Sequence, residues 1–179
     1  MSILEFLGLS KSSTPERAAP TAETDTVRKI VSALDSMDPE KARFIAAFAF
    51  ILCRVARADL QISPSEIRIM EQIVMERGGL PEEQAILVVQ MAKTQSTLFG
   101  GTENFLVTRE FNRMATQEQK KALLDCLFAV ASDEMISTVE DNEISRISSE
   151  LQISRDEFIA LRMKYREKRA VLKKPEDKS

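Results

Sequence analysis

Histidine is absent from the 179-residue sequence, and its absence excludes several kinds of active site. A Ser-His-Asp triad, a zinc site with histidine ligands and a histidine general base all require an imidazole ring. A bound metal ion would have to rely on oxygen ligands, helped at most by one thiolate. The sequence also has no phosphate-binding glycine loop and no nucleophile paired with a base. We therefore expect a protein that is not an enzyme, with a metalloenzyme built on carboxylates alone as an alternative.

Cysteine and excess positive charge are also scarce. Cys53 and Cys126 lie far apart and form no CxxC pair, which excludes a disulfide framework. Because both lie in apolar stretches, we expect buried free thiols in a reducing compartment. The formal net charge is −3, and a protein without a basic excess is not expected to bind nucleic acid.

Long hydrophobic runs are missing too. The most apolar run, FIAAFAFILC at residues 44–53, has about half of the roughly 20 residues that a membrane-spanning helix needs. The start, MSILEFLGLS, lacks the basic region of a signal peptide. We therefore expect a cytoplasmic protein. Peripheral membrane association is an alternative, through the N-terminus (Ile3, Leu4, Phe6, Leu7 and Leu9) or through the basic C-terminal helix.

Strand patterns are absent, because alternation of apolar and polar residues never persists, whereas helix signals recur along the chain. Residues 1–26 are predicted to be the short apolar segment and a linker rich in Ser, Thr, Pro and Ala. Residues 27–174 are predicted to be one helical domain, with halves at about 27–98 and 102–174, followed by a tail at 175–179. The predicted fold is an all-α bundle of about seven to eight helices.

Helix boundaries are marked by capping residues and by glycines. Asp38, Ser63, Thr116, Ser137 and Ser154 are predicted N-caps. A glycine pair at 100–101 is predicted to separate two helices, as the pair at 78–79 ends another. Apolar residues at helical spacing predict the buried positions Val27, Ile30, Val31, Leu34, Ile67, Met70, Ile73, Val74, Ile86, Val89, Met91, Phe105, Leu106, Phe111, Met114, Leu123, Leu124, Leu127, Val130, Ile144, Ile147 and Leu151.

An eight-residue phrase occurs twice in the sequence. DLQISPSE occupies residues 59–66 and DEMISTVE residues 133–140, so both read Asp-x-x-Ile-Ser-x-x-Glu and lie 74 positions apart. Each phrase follows one long predicted helix and begins another. Since the order of helices also agrees between the two halves, the sequence predicts an internal duplication that builds a pseudo-twofold bundle.

Helix capping explains the serine and the glutamate of each phrase, but it leaves Asp59 and Asp133 unexplained. Both follow the end of a helix, where the helix dipole disfavours a negative charge. We interpret them in two ways: as Asx-type caps of their own loops, or as ligands of a hard cation together with the glutamates. An EF-hand is excluded, because neither copy has the required glycine and glutamate at loop positions 6 and 12.

Two longer stretches, VARADLQISPSEIRIMEQI and AVASDEMISTVEDNEISRISSELQISRDEFIALR, resemble the two halves of the tellurite-resistance TerB-like family. That family includes the N-terminal region of the co-chaperone DjlA. The resemblance covers about residues 27–170 and implies an all-helical fold with internal pseudo-symmetry. It also implies acidic clusters proposed to bind metal ions, and a role in stress-response or membrane-associated complexes. The positions that match the implied metal ligands are Asp59, Glu66, Asp133, Glu140 and Glu143.

The chain departs from the family pattern directly after each aspartate. The family usually has glycine there, which allows the chain to turn with a positive φ. Leu60 and Glu134 occupy these positions, which argues against the tight loop, more strongly at Leu60. Without histidine the chain also lacks a His-Pro-Asp motif, so a J-domain chaperone activity is excluded.

The end of the chain is rich in cations, and this region is predicted to be a solvated basic helix end. Contact with anionic lipid or nucleic acid is the alternative, although Tyr165 alone is little aromatic support for nucleic acid. For the whole chain we expect a protein-interaction or stress-response module with acidic sites between helices, acting through a protein partner. The alternative is a protein that binds or senses a divalent cation, namely calcium, magnesium, manganese or zinc. The basic residues are Arg162, Lys164, Arg166, Lys168, Arg169, Lys173 and Lys174.

Overall fold

The structure, a computed structural model, describes residues 37–133 and 135–169. The predicted apolar segment, linker and first helix within residues 1–36 lie outside the described residues, as do Glu134, Lys173, Lys174 and the tail. In the described ranges, the all-α prediction is confirmed. The elements are α1 (Pro39–Ala56), α2 (Pro64–Gly78), α3 (Glu82–Met114), α4 (Gln117–Ala131), α5 (Thr138–Glu150), α6 (Arg155–Lys164) and a 3-10 helix (Arg166–Lys168).

The helix starts follow the predicted caps. The Asp38 carboxylate accepts a hydrogen bond from the Lys41 amide. The helices α2, α4, α5 and α6 each begin with a complete capping box, in which the cap side chain and the side chain three residues later accept each other's amide hydrogen. At the other end of α2, Gly79 has φ of 64° and closes the helix in the left-handed conformation.

Helix α1 is the centre of the molecule. Every residue from 45 to 56 is buried, so the helix is covered on all sides, and it contacts α2, α3, α4 and α5. Helix α3 runs antiparallel to it, because Phe44 packs on Phe111 while Arg57, near the other end of α1, donates to the Ser96 carbonyl. A helix this apolar on every face is stable only in such a position.

The two cysteines are buried free thiols, as predicted. Burial raises the pKa of Cys53 to about 12. This thiol therefore stays protonated at neutral pH and is a poor metal ligand.

The predicted break at residues 100–101 is wrong, because α3 runs unbroken through both glycines. Each glycine costs a helix interior about 1 kcal/mol relative to alanine. Packing on both sides of the pair offsets this cost: Val88, Val89 and Ala92 are buried before it, and Val107 and Phe111 after it. Tertiary contacts with α1 thus hold the helix together where its own sequence would end it.

Three of the predicted core positions are also wrong. Ile86, Phe105 and Leu106 have exposed side chains. All three lie on α3. Because α3 is long and contains a glycine pair that predicted a break, the sequence did not indicate which side of this helix is buried. The other predicted core residues in the described ranges are buried or packed partly buried against the core. No helix among the described residues combines the length and hydropathy required to cross a bilayer.

Candidate functional site

The first acidic loop joins α1 to α2 and is closed by its own aspartate. Asp59 is exposed, and its Oδ1 accepts a hydrogen bond from the Gln61 amide at 3.2 Å, which is the Asx-type contact considered from the sequence. The next residue, Leu60, has φ of 74° and is 82% exposed. The tight turn that leucine was expected to oppose therefore forms, with a leucine in the conformation that favours glycine.

The second acidic loop, between α4 and α5, uses its aspartate differently. Asp133 accepts a hydrogen bond from the hydroxyl of Ser65, in the first turn of α2. The two loops are therefore in direct contact. The relation is not reciprocal, since the position of the second phrase that corresponds to Ser65 is Val139, which is exposed. The predicted duplication stays a prediction, and the hydrogen bonding of the two loops differs.

An open cleft of about 400 Å³ lies where the two loops meet. Its acidic side chains are Asp59 and Glu66 from the first phrase and Asp133 from the second. Gln61, Ile62, Ser63, Pro64, Ala131 and Met135 complete the lining. The fold thus brings residues that are far apart in the sequence into one concave acidic surface.

Glu66 and Glu140, the capping-box glutamates of the two phrases, are buried at 8% and 5% exposure. Each accepts the amide hydrogen of its cap serine, at 2.7 Å in Glu66 and 2.8 Å in Glu140. Burial raises the pKa of Glu66, and the negative charges of Glu140 and Asp59 raise it further against the hydrogen bonds from Ser63. Burial and the Asp59 charge likewise raise the pKa of Glu140, against the hydrogen bonds from Ser137. The two glutamates and Asp59 are close enough to repel one another.

Three of the five predicted metal ligands, Asp59, Glu66 and Asp133, therefore line this cleft. Glu140 is close enough to raise the pKa of Glu66 but does not line the cleft, and Glu143 lies elsewhere. The Glu143 carboxylate is bound to the guanidinium of Arg54 instead. Within residues 37–133 and 135–169, no three carboxylates or thiolates converge in a way that could hold one metal ion. Asp59, Glu66 and Asp133 supply the oxygen ligands that a hard cation prefers, but in this conformation they line an open cleft and do not converge on a single point.

The comparisons with known proteins support this assignment of motifs. The family model described as "Tellurite resistance protein TerB" matches residues 44–163, a range that contains most of α1, all of α2 to α5, most of α6 and both acidic loops. This chain belongs to the TerB family. Neither the search of curated proteins nor the search of solved structures found a match. The family shows the fold of the TerB domain, while its chemistry must be argued from the side chains.

A buried ion cluster joins α1, α3 and α5 of this TerB-family chain, and the sequence did not predict it. Arg54, in the last turn of α1, is only 5% exposed and is flanked by buried apolar residues. Its guanidinium binds Glu143 and, through two hydrogen bonds of 2.7 and 3.1 Å, both oxygens of Glu150 on α5. It also donates to the Thr108 hydroxyl of α3 at 2.9 Å. The sequence does contain an indication of this cluster. Glu143 and Glu150 lie seven residues apart, on the same side of α5 as the fully buried Ile147.

A second internal charge cluster changes the interpretation of the basic helix end of the TerB domain. Asp141 is 3% exposed and accepts hydrogen bonds from Arg162 on α6 and from Arg169. Burial raises the pKa of Asp141, but the two arginines outweigh burial and hold it below its ordinary value. Two of the basic residues that were predicted to be solvated are thus part of an internal ion pair. Arg166 and Lys168 are exposed as predicted.

The C-terminal segment that follows α6 stabilises the second acidic loop but not the first. The Ile136 amide donates to the Lys168 carbonyl at 2.8 Å, in a short parallel bridge. Ile136 is 1% exposed beneath this contact. The second loop of the TerB domain is therefore held by α2, α5 and the C-terminal segment, and the first loop is held mainly by its own Asx turn.

Proposed function

We propose that this TerB-family chain is a non-enzymatic binding module whose acidic cleft receives a cationic segment of a partner protein. One observation carries the proposal: carboxylates from both loops line one open cleft. Among the described residues, none of Asp59, Glu66, Asp133 and Glu140 forms a salt bridge with a lysine or arginine. By contrast, the charge of the buried Asp141 is neutralised by two arginines of the same chain, Arg162 and Arg169.

The dimensions of the cleft favour a side chain over a bare ion. A calcium ion needs six to eight oxygens at about 2.3–2.6 Å from one point, whereas the cleft has a volume of about 400 Å³. Such a volume accommodates a lysine or arginine side chain with part of its backbone. An ammonium or guanidinium group can also bridge carboxylates that are too far apart to share a metal ion.

A peptide-display selection tests this function on the full chain. Wild-type protein is compared with the Asp59→Asn/Asp133→Asn double variant, which keeps side-chain size and removes two cleft charges. We expect wild type to enrich peptides rich in Lys and Arg, and the variant to lose that enrichment. A matched control, Glu82→Gln/Glu83→Gln in the exposed first turn of α3, makes the same change in net charge away from the cleft. Equal enrichment by wild type and the cleft variant would overturn the proposal.

A divalent cation is the second candidate ligand, and the mutual repulsion of Glu66, Glu140 and Asp59 favours it. A cation that bound between these groups would remove that repulsion, after a small movement that brings them together. The test is a calorimetric titration of the full chain with calcium, magnesium, manganese and zinc, repeated as thermal melts. Stoichiometric binding that Asp59→Asn and Asp133→Asn abolish would establish a cation site. If no cation raises the melting temperature of the wild type, this candidate is excluded.

A role in a stress response, including tellurite resistance, belongs to the same proposal and rests on the family alone. A growth assay of a deletion strain of the native host on tellurite tests it. We expect wild type to restore growth and the Asp59→Asn/Asp133→Asn variant to fail. If both wild type and the variant restore growth, the cleft is not required for that role.

A further inference from the structure

A second cleft, which we call the α5–α6 cleft, has a volume of about 410 Å³ and a charge opposite to that of the acidic cleft. Serines of α5 line it together with Arg155 and Arg162 of α6. Among the described residues that line it, none is acidic, and none also lines the acidic cleft. A concave surface with two cations and no lining carboxylate attracts an anion.

Arg162 lines the α5–α6 cleft with its guanidinium already held in place. Its Nε donates to Oδ1 of Asp141 at 3.0 Å and its Nη2 donates to Oδ2, and Asp141 is only 3% exposed. The guanidinium also lies over the Phe158 ring, 5.6 Å from the centroid. No hydrogen bond joins Nη1 to another of the described residues, so its two hydrogens remain for a ligand. Because the group is fixed in advance, an anion that binds it costs little side-chain entropy.

Arg155 supplies a second cation that has no acidic partner in the part of the chain that the structure describes. It is exposed in the first turn of α6, and no salt bridge joins it to a described carboxylate. Glu157, two residues further on, binds Lys121 of α4 at 3.3 Å instead. The charge of Arg155 is therefore available to a ligand in the cleft.

Three serines of α5 line the α5–α6 cleft, although serine is a poorer helix former than alanine. Ser145, Ser148 and Ser149 have the spacing i, i+3 and i+4 and therefore share one side of the helix. The Ser149 hydroxyl donates to the Ser145 carbonyl at 3.1 Å. Ser148 is only 3% exposed, and no hydrogen bond joins its hydroxyl to another of the described residues. Buried hydroxyls normally have a partner, and a ligand in the cleft would provide one.

We propose that the α5–α6 cleft binds a phosphate group that carries an apolar substituent. Guanidinium and hydroxyl groups are the donors that recognise phosphate oxygens, and an arginine can bind two of these oxygens at once. The cleft volume of about 410 Å³ lies in the range of about 300–1,000 Å³ that is typical of small-molecule sites. A phosphate ion alone fills only a small part of it. A soluble organic phosphate and a lipid headgroup share this chemistry.

Apolar side chains of the cleft account for the substituent. Ile153 and Phe158 are each 8% exposed, whereas Ile159 is 43% exposed although it also lines the cleft. A substituent that covers Ile159 removes apolar surface from water, and the gain in affinity grows with the area covered. The cleft therefore favours an organic phosphate over inorganic phosphate.

Calorimetric titration of the full chain with phenyl phosphate tests the proposal. We expect one-to-one binding that Arg155→Gln weakens at least about tenfold, because a charge-assisted hydrogen bond is lost. Since Arg155 is exposed, the Tm of this variant should equal that of wild type. Arg68→Gln, at an exposed residue of α2, makes the same change in net charge away from the cleft and should bind as wild type does. Unchanged affinity in Arg155→Gln, or equal weakening in both variants, would overturn the proposal.

Two further variants examine the phosphate group and its substituent separately. Ser148→Ala removes the buried hydroxyl and should weaken the binding of phenyl phosphate and of inorganic phosphate alike. Ile159→Ala should weaken the binding of phenyl phosphate several-fold and leave that of inorganic phosphate unchanged. If wild type binds inorganic phosphate as tightly as phenyl phosphate, the assignment of an apolar substituent is wrong.

Vesicle flotation identifies the source of the phosphate group. Vesicles of phosphatidylcholine with phosphatidic acid are compared with vesicles of phosphatidylcholine alone. Flotation of wild type and Arg68→Gln, but not of Arg155→Gln, with the acidic vesicles assigns the cleft to a lipid headgroup. Binding of phenyl phosphate without flotation assigns it to a soluble organic phosphate. If wild type binds neither phenyl phosphate nor the vesicles, the proposal is refuted.

Discussion

At the scale of single residues, the first acidic loop is shaped by a leucine in an unfavourable conformation. Leu60 has φ of 74° and an 82% exposed side chain. A non-glycine residue in this region costs roughly 1 kcal/mol, and Leu60 recovers little of it through burial. The turn nevertheless positions Asp59 at the rim of the cleft, where its Oδ1 accepts the Gln61 amide hydrogen. The loop is thus strained at the residue next to a cleft carboxylate, as is common at binding sites.

The strain at Leu60 predicts an inverted order of stability for two substitutions. At an ordinary exposed position glycine is less stable than alanine by about 0.5–1 kcal/mol. At position 60 we expect Leu60→Gly to be more stable than Leu60→Ala by a similar amount, because only glycine adopts this φ freely. Urea unfolding of both variants measures the difference. The ordinary order, with alanine more stable, would show that the residue does not hold a positive φ in solution.

The raised pKa values of Glu66 and Glu140 predict that variants lacking these two charges are more stable than wild type, by an amount that depends on pH. A carboxyl group whose pKa is higher in the folded protein than its ordinary value of 4.5 binds protons preferentially in the folded state. Its contribution to stability is therefore lost as pH rises through the folded pKa. Glu66→Gln and Glu140→Gln keep the capping box, as Gln119 does in α4, and remove the charge. We expect both variants to be more stable than wild type at pH 7, and the gain to vanish near pH 4.

The control for this prediction is another capping glutamate of the same chain. Ser154 and the Lys121 ion pair lower the pKa of Glu157, so this carboxylate stabilises the folded state at neutral pH. Glu157→Gln is therefore expected to lose stability at pH 7, the opposite sign. Thermal melts of the three variants at pH 7 and pH 4 provide the comparison. If Glu66→Gln and Glu140→Gln instead lose stability at pH 7, the prediction is contradicted, and a positive charge must neutralise these two carboxylates in the folded protein.

At the scale of helices, Arg54 ties α1 to α3 and α5. It carries the charge that neutralises Glu143 and Glu150, and its own donors are occupied by these residues and by Thr108. Removing one partner of a buried ion cluster leaves the others uncompensated, at a cost of about 3–5 kcal/mol. The cluster therefore contributes more to the orientation of the helices than a surface ion pair does.

We expect Arg54→Met to destabilise the protein by about 3–5 kcal/mol. The triple variant Arg54→Met/Glu143→Gln/Glu150→Gln should recover a substantial part of that loss, because no buried charge is then left unpaired. Denaturant unfolding of both proteins gives the two free energies. Equal destabilisation of the single and triple variants would show that the loss comes from the shape of Arg54 rather than from its charge.

The boundaries of the helices could be predicted from the sequence wherever a side chain acts on its own backbone. Asp38, Ser63 and Ser137 cap the helices they were expected to cap, since capping is decided within four residues. The continuity of α3 through residues 100–101 could not be predicted, because packing on α1 outweighs the local preference of glycine. The partners of Arg54 lie 89 and 96 residues away, beyond any local pattern.

At the scale of the whole molecule, the sequence predicted which acids belong together but not how they are used. The repeated phrase identified Asp59, Glu66, Asp133 and Glu140, and the fold places the first three around one cleft, with Glu140 near enough to act on the charge of Glu66. It also assigned Glu143 to this group, whereas the fold gives Glu143 to Arg54. The contact of Asp133 with Ser65 likewise follows from the way the two loops meet. The contact between the two loops depends on the folded TerB domain, and the sequence of either loop alone does not predict it.

The most direct test of the acidic cleft as a binding surface is its location by nuclear magnetic resonance. The full chain, labelled with nitrogen-15, is titrated with a Lys- and Arg-rich peptide from the display selection. We predict that amide shifts concentrate in residues 59–66 and 131–141, and that Asp59→Asn/Asp133→Asn weakens the affinity at least about tenfold, the equivalent of 1.4 kcal/mol. Shifts that concentrate elsewhere, with an unchanged affinity in the variant, would contradict this assignment.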